Sequence, residues 1–534
     1  VDVTAPPVAS PLAGTVVRAF GDSTALRVAA DRLRSLGCAV EAGGAPVPGA
    51  DAGLLRLADG PECAISWAGA SGLPLASEAD VQAACGLMRV HGRATGGPRA
   101  LGVAFASVCA GVLAAQAVLA GALAALRGGT AVRAATSVAG AAALAVTQYA
   151  AVASAGERVA AGGRTPPFRS ADGVRFEIET LDAEDWLRFW TALGADRAAV
   201  AAGWPPFQRR FATATCALPP ALADATAAVG YAAVRAAADA AGVSVVAVRA
   251  ADAPLPPPPA SPWRLRELDD GGPARPALPA LSPGARKPLA GLRVVESATR
   301  VQGPLAGHVL GLLGADVVRL EPPGGDPLRG VPPLVGGGSA RFRALNRGKS
   351  AVEADLKSPA GRAAALRLAA SAHVFLENWP PGRAARLGLT EADLAAAAPA
   401  LVRAHAGGWA ETPPAPRPLG TDYLVQAHTG VAALLGGAPT LLTVTDVLGA
   451  LICAEGVLAG LLARARSGTG VVVETALTDA ARLLRAAPYA APSAAPDVPA
   501  AAEPGACAAL FERDADGVAH ARAPWTFTDP REPA

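Results

Sequence analysis

The sequence has very little lysine. Only Lys287, Lys349 and Lys357 occur among 47 basic residues, so arginine carries nearly all the positive charge, a skew that points to genome-wide coding bias. Against 45 acidic residues the formal net charge is only +2, which gives no electrostatic case for binding nucleic acid. Seven cysteines are present: Cys38, Cys63, Cys85, Cys109, Cys216, Cys453 and Cys507. None forms a CxxC pair, which argues against zinc sites and disulfide frameworks and fits a reducing cytoplasm. No basic segment followed by a short apolar run opens the chain, so no signal peptide is expected. A Walker A sequence and a complete GxGxxG are both missing, and nucleotide hydrolysis and NAD binding lose their usual support.

At 534 residues the chain exceeds one ordinary domain and can bury a large core. Residues 101–126 carry no charge and pass the length of about 20 residues that crosses a bilayer. A second copy of the same element, over 446–463, holds Asp446 and Glu455 inside a similar apolar pattern. Two copies of one element should share one environment, so both read as buried core helices and no membrane is expected.

That duplication is the main positive signal. Val81-Gln82-Ala83-Ala84-Cys85-Gly86 precedes a helix ending in Ala117-Val118-Leu119-Ala120-Gly121. Val425-Gln426-Ala427-His428-Thr429-Gly430 precedes one containing Gly456-Val457-Leu458-Ala459-Gly460. Subtracting 339 from the second set of helix positions sets Asp446 opposite Ser107. Asp422 has Glu78 as its counterpart. Only one copy keeps a carboxylate at the helix position.

Residues 14–45 read as strand, helix, strand, a shortened βαβ opening. Over 166–255 a turn at 168–173, alternation over 174–178, an Asp182 N-cap and a helical stripe of Trp186, Leu187, Phe189, Trp190 and Leu193 predict a small α+β domain. The aromatics read as core. Pro256-Pro257-Pro258-Pro259 opens a proline-rich linker over 256–287, expected to be an extended spacer. From residue 288 strands at 292–295, 317–320, 374–376 and 401–404 alternate with helices, which implies a mostly parallel sheet covered on both faces. The tail, 491–534, is expected to be irregular in part.

The second half resembles the family III CoA-transferases, the CaiB/BaiF group that includes formyl-CoA and carnitine CoA-transferases. The likeness lies in the opening 288–296, in Gly303-Pro304-Leu305-Ala306-Gly307, in 314–327 and in Asn346-Arg347-Gly348-Lys349-Ser350. It continues in Leu376-Glu377-Asn378-Trp379-Pro380-Pro381-Gly382, Leu387-Gly388-Leu389 and 463–470. It implies a Rossmann-like parallel sheet with a small α+β domain, built here as pseudo-dimeric tandem halves. Residues 1–165 are the degenerate half and 288–490 the CoA-binding half, as if an interlocked homodimer had been fused and each copy trimmed. The small domain would then close over the second half's site, giving one active site per chain.

The same resemblance makes Asp446, ten residues before Gly456, the nucleophile; an N-cap is the alternative use of that residue. Asp422, with Thr421 before it, would lie near the acyl pocket or serve only as a loop carboxylate. The racemase branch carries histidine where Thr421 stands, so transfer is favoured over α-epimerisation; His405 and His428 read as packing residues. Arg300, Val301 and Gln302 match the loop beside the thioester. Asn378, Trp379, Arg383 and Arg386 match the segment around adenine and phosphates, with Lys349 a further phosphate contact; each arginine could equally be a solvated surface charge. The implied substrates are an acyl-CoA and a carboxylic acid, with no permanently bound cofactor and no metal. The halves would form an intramolecular pseudo-dimer, and further homodimerisation is left open. The family's glycine-rich active-site loop is not evident, since Gly336-Gly337-Gly338 falls in the wrong place. A racemase or isomerase and a non-catalytic CoA-binding scaffold are the alternatives.

Overall fold

Two long helices set the architecture of the computed structural model, which describes residues 10–529 apart from 46, 59, 130–132, 157–165, 255–260, 262, 269–276, 411–416 and 490–506. The first core helix, Phe105–Leu126, is apolar on every face. The second is Val444–Ser467. Such helices need cover all round, and they find it by packing on each other and against the sheets of both halves. Both are long and apolar enough to cross a membrane, yet 89% and 94% of their most apolar windows are buried within the fold. They are core helices, as the duplication implied.

The second half carries a sheet in the order Ser350–Glu353, Asp316–Glu321, Arg293–Ser297, Val374–Glu377, Val402–Gly407, Gly470–Ala476, Arg264–Leu268. Every pairing is parallel except the last. The first half is a reduced version: Ala39–Gly44, Val16–Phe20, Gly53–Leu57, Glu62–Ser66, Arg133–Ser137, Trp525–Thr528. Gly53–Leu57 runs antiparallel to both neighbours. A parallel strand there would need a crossover connection of a dozen or more residues, and the short links on either side do not supply one.

The edge strands are exchanged. Arg264–Leu268 follows the first half but completes the second sheet against Gly470–Ala476. Trp525–Thr528 follows the second half but completes the first sheet against Arg133–Ser137. Two expectations change accordingly. The supposed spacer includes a strand, because alternating Arg264-Leu265-Arg266-Glu267-Leu268 covers an edge that would otherwise present unpaired backbone groups. Pro256–Pro259 and Gly271-Gly272 lie outside the described residues. The tail includes ordered strands, anchored where the Trp525 indole N–H donates to the Leu113 carbonyl at 2.8 Å.

The small unit joins strands Phe168–Arg169, Arg175–Glu179 and Ser244–Ala247 to four helices, Ala183–Ala192, Arg197–Thr213, Pro220–Ala227 and Tyr231–Ala241. Asp182 caps the first helix, accepting from the Glu184 N–H at 2.7 Å. Trp186, Phe189 and Trp190 are buried, whereas Leu187 faces solvent.

Candidate active site

Helix starts leave backbone N–H groups without intrahelical acceptors, and both core helices meet that need with a carboxylate from a preceding helix. In the second half Asp422 opens the helix Asp422–Thr429 and is almost fully buried. It accepts from the Asp446 N–H at 2.7 Å and from the Thr445 hydroxyl at 2.7 Å. Gln426 also donates to Asp422, and accepts the Thr440 N–H at 2.8 Å through its own side-chain oxygen. In the first half Glu78 accepts from the Ala106 and Ser107 N–H groups at 3.0 and 2.8 Å and from the Ser107 hydroxyl at 2.6 Å. Gln82 donates to Glu78 at 3.0 Å and accepts the Leu101 N–H at 2.9 Å. The predicted correspondences, Asp446 with Ser107 and Asp422 with Glu78, are therefore structural ones.

The consequences differ between the copies. Ser107 is buried and spends its hydroxyl on Glu78. Asp446 does not cap its own helix; Asp422 holds that N–H, and the Asp446 carboxylate is left half-buried on the wall of a cavity of about 570 Å³. Burial and the adjacent Asp422 carboxylate push the Asp446 pKa well above the usual carboxylate range, against the opposing pull of Arg300. Burial raises Asp422 as well.

Three segments of the second half line this cavity with Asp446: Thr299 to Gln302, Asn378 to Pro381, and the stretch around Gly407-Gly408 and Gly420-Thr421. Arg300 sits at φ +66, a left-handed conformation uncommon for a residue with a side chain. It turns the strand Arg293–Ser297 into the helix Gln302–Leu312. Asn378 braces that turn from both sides, accepting the Thr299 N–H at 3.1 Å and donating to the Thr299 carbonyl at 2.9 Å. Gln302 donates to the Gly407 carbonyl at 3.3 Å. Gly408 and Gly420 bring two backbones together, and a Cβ on Gly408 would lie 2.2 Å from the Gly420 Cα. The Thr421 hydroxyl is buried and has no hydrogen-bond partner among the described residues.

The fourth wall comes from the small unit, through Glu179, Thr180, Asp182 and Phe211. The Arg300 guanidinium lies 5.0 Å from the centre of the Phe211 ring. Arg210 pairs with Glu177 at 2.8 Å and Glu179 at 3.4 Å. Its guanidinium sits 4.0 Å from the Phe207 ring and 4.5 Å from that of Tyr423, next to Asp422. A desolvated cation between two rings thus ties the small unit to the second half.

The structure therefore brings Arg300, Val301, Gln302, Asn378, Trp379, Thr421, Asp422 and Asp446 to one cavity. It does not bring Lys349 there. That ammonium is committed to Glu296 at 2.7 Å, the Pro304 carbonyl at 2.6 Å and Asn346 at 2.9 Å. A buried carboxylate at 296 needs cations around it, and Lys349 and Arg319 together supply them. Arg383 and Arg386 lie on the exposed helix Arg383–Leu387, beyond the cavity lining.

His405 was read as packing but lines the cavity. Its Nδ1 is 2.8 Å from Glu377. Burial opposes the charged ring, but Glu377 outweighs it and the pKa is raised. The missed signal was its place at the C-terminal end of a parallel strand, where open α/β sheets bind ligands. His428 is buried and meets Trp409 edge-on at 5.2 Å, consistent with packing. Gly407-Gly408 also lines the cavity, a glycine pair the sequence reading passed over, whereas Gly336-Gly337 forms the turn between the short strands Leu334–Val335 and Gly338–Ser339, the second of which Gly338 opens.

The model of CoA-transferase family III matches residues 68–257 and 289–521, most of the chain and in two separate regions. The chain belongs to CoA-transferase family III. Among members of the family, a succinate–glutarate CoA-transferase of Agrobacterium fabrum is 35% identical over 210 residues, 37% of this chain and 52% of that protein. A probable fatty acyl-CoA transferase of Mycobacterium tuberculosis, Rv3272, is 36% identical over 221 residues, 39% and 55% of the two chains. An acetyl-CoA:oxalate CoA-transferase of Acetobacter aceti is 34% identical over 199 residues, 36% and 51%. This chain spans about half the length of the curated relatives it matches. A crystal structure of Rv3272 aligns over 38% of this chain and 58% of its own, with a TM-score of 0.35 and 36% identity.

Proposed function

We propose that this protein transfers CoA between two carboxylic acids, with Asp446 as the covalent nucleophile and a CoA thioester as substrate rather than as a resident cofactor. The observation that carries the reading is Asp446 itself. Its N–H is held by Asp422 while its carboxylate faces a cavity of about 570 Å³ walled by two parts of the chain. The family relatives named as CoA-transferases support the same class of reaction.

In the first step an Asp446 oxygen attacks the thioester carbonyl; the C–S bond breaks and CoA leaves as thiolate, leaving a mixed anhydride. The thiolate then attacks the aspartyl carbonyl, the first acid departs as carboxylate, and an aspartyl-CoA thioester remains. The incoming carboxylate attacks that thioester and again expels thiolate. The thiolate attacks the acyl carbonyl of the new anhydride, giving the new acyl-CoA and free Asp446. The backbone N–H groups of the turn Arg300-Val301-Gln302 are suited to hold the oxyanion. The small unit keeps water from the anhydride. Thr421 and Asp422 would border the acyl group. Arg383 and Arg386, just outside the cavity, would meet phosphates as bidentate partners.

Trapping tests this reading. Hydroxylamine or borohydride added during turnover, followed by peptide mapping, should modify Asp446 and no other residue. Turnover with Asp446 unlabelled would overturn it. The placement of His405 beside Glu377 on the same cavity favours a second reading, α-proton exchange on an acyl-CoA. Deuterium uptake at the α-carbon without CoA transfer would select it.

A further inference from the structure

Seven buried thiols are distributed through the fold, and two of them meet. Cys85 ends the helix Glu78–Ala84 in the first half. Cys507 leads the segment that returns from the second half toward the first sheet. Their sulfurs are 3.4 Å apart although 422 residues separate them in the chain. Among the described residues no other two cysteine sulfurs are recorded within hydrogen-bonding distance of each other.

We propose that Cys85 and Cys507 form a hydroperoxide-reactive dithiol that closes to a disulfide and staples the returning C-terminal segment to the first half. The proposal is independent of the reaction assigned to Asp446.

Reach comes first. A covalent S–S bond is about 2 Å long, so the two side chains must together close a little over 1 Å. Cys85 stands at a helix end, followed by Gly86 in the left-handed region at φ +81, rather than inside a rigid turn. Access comes second. A small cavity of about 40 Å³ touches both cysteines, with Arg89, Arg93, Val146, Tyr149 and Phe511 around it. That is room for a molecule the size of water or hydrogen peroxide.

The two thiols are also inequivalent. The hydrogen bond from Cys85 holds the Cys507 thiol below its ordinary range, against the effect of burial. The same contact, together with burial, pushes Cys85 up. Cys507 is taken as the attacking sulfur and Cys85, at the helix end, as the resolving one; exchanging the roles leaves the disulfide and the balance of the steps unchanged.

With hydrogen peroxide the steps balance. The Cys507 thiolate attacks one peroxide oxygen, the O–O bond breaks, and hydroxide takes a proton to leave as water. Cys507 becomes a sulfenic acid. Cys85 attacks that sulfur, the S–O bond breaks, and a second water leaves with the Cys85 proton. Two thiols lose two electrons, and one peroxide becomes two waters.

The staple would act on a segment that already bridges the halves. Beyond Cys507 it pairs Glu512 with Arg347 and Asp516 with Arg343 (2.6 Å for the latter), and it donates the Trp525 indole N–H to Leu113 at 2.8 Å. It ends in the exchanged strand Trp525–Thr528.

The test uses the full chain, reduced and then treated with a small excess of hydrogen peroxide. Free thiols are alkylated under denaturing conditions and peptides are mapped without reduction. The expected result is one cross-linked peptide joining Cys85 to Cys507, with two of the seven thiols lost. Thermal unfolding should shift up by several degrees and return on addition of dithiothreitol. Cys85→Ser should remove both the cross-link and the shift and leave Cys507 reactive toward dimedone. Alkylation of both residues after peroxide, a cross-link between other cysteines, or an undiminished shift in Cys85→Ser would overturn the proposal.

Discussion

The starts of the two core helices are built alike and end up with opposite chemical characters. In each, a carboxylate from a short preceding helix accepts the N–H groups of the first turn, and a glutamine fixes that carboxylate from behind. In the first half the residue at the third helical position is Ser107, which closes the arrangement on itself. In the second it is Asp446, which cannot donate to Asp422 when ionised and so turns to the cavity. One side chain separates a finished cap from an activated acid. The duplication supplies the scaffold twice, and the proposed chemistry sits in what the scaffold leaves unsatisfied.

The largest effect expected from breaking this contrast is in Asp446→Asn. CoA transfer should fall roughly ten-thousand-fold, as when a nucleophile is removed from a covalent mechanism, read by product formation from an acyl-CoA and an acid. The same variant should be more stable than the parent. Asp446 has a folded-state pKa raised above its unfolded value, near 3.9. Its ionisation therefore costs stability as pH climbs past that value, and the cost is complete above the folded pKa. The gain in melting temperature from Asp446→Asn should widen from acid toward neutral pH, and the activity of the parent should fall as pH drops through the same raised pKa.

A second contrast lies halfway along the helices. Glu455 corresponds to Gln116; the acid is buried and ion-paired to Arg32 of the first half, while the amide donates to the Leu451 carbonyl at 2.6 Å. Arg32→Ala strands the charge and should lower stability by about 3–5 kcal/mol in chemical unfolding. Arg32→Met combined with Glu455→Gln should recover most of that loss. The smallest of the three effects is expected from Ser107→Asp, which makes the first site resemble the second. A second carboxylate pressed on buried Glu78 should lower stability by about 2 kcal/mol, with no gain in transfer, because the segment equivalent to 378–400 is missing from the first half.

Much of this was legible in the sequence. The strands Arg293–Ser297, Asp316–Glu321, Val374–Glu377 and Val402–Gly407, the buried core helices and the pairings of Asp446 with Ser107 and Asp422 with Glu78 follow from local pattern and repetition, whereas Ser350–Glu353 and Gly470–Ala476 went unread. Contacts decided by distant partners were not. Lys349 sits in a motif that suggests a phosphate contact, yet its partner Glu296 lies 53 residues away on the strand Arg293–Ser297. His405 became a cavity residue only once its strand was placed centrally in the parallel sheet, with Glu377 on the neighbouring strand. Arg264–Leu268 was hidden by the prolines around it, and Trp525-Thr526-Phe527-Thr528 by a tail of irregular composition. The alternation in both was a usable clue.

Those two short strands bear on how the gene can be divided. Neither half owns all of its own sheet. A cut at residue 288 would leave one product carrying the border strand its counterpart requires, and the reverse. Each fragment would present a bare ladder of amides and carbonyls until the two met. Keeping both in one reading frame delivers them in equal number and at the same place, so reassembly never depends on an encounter in solution.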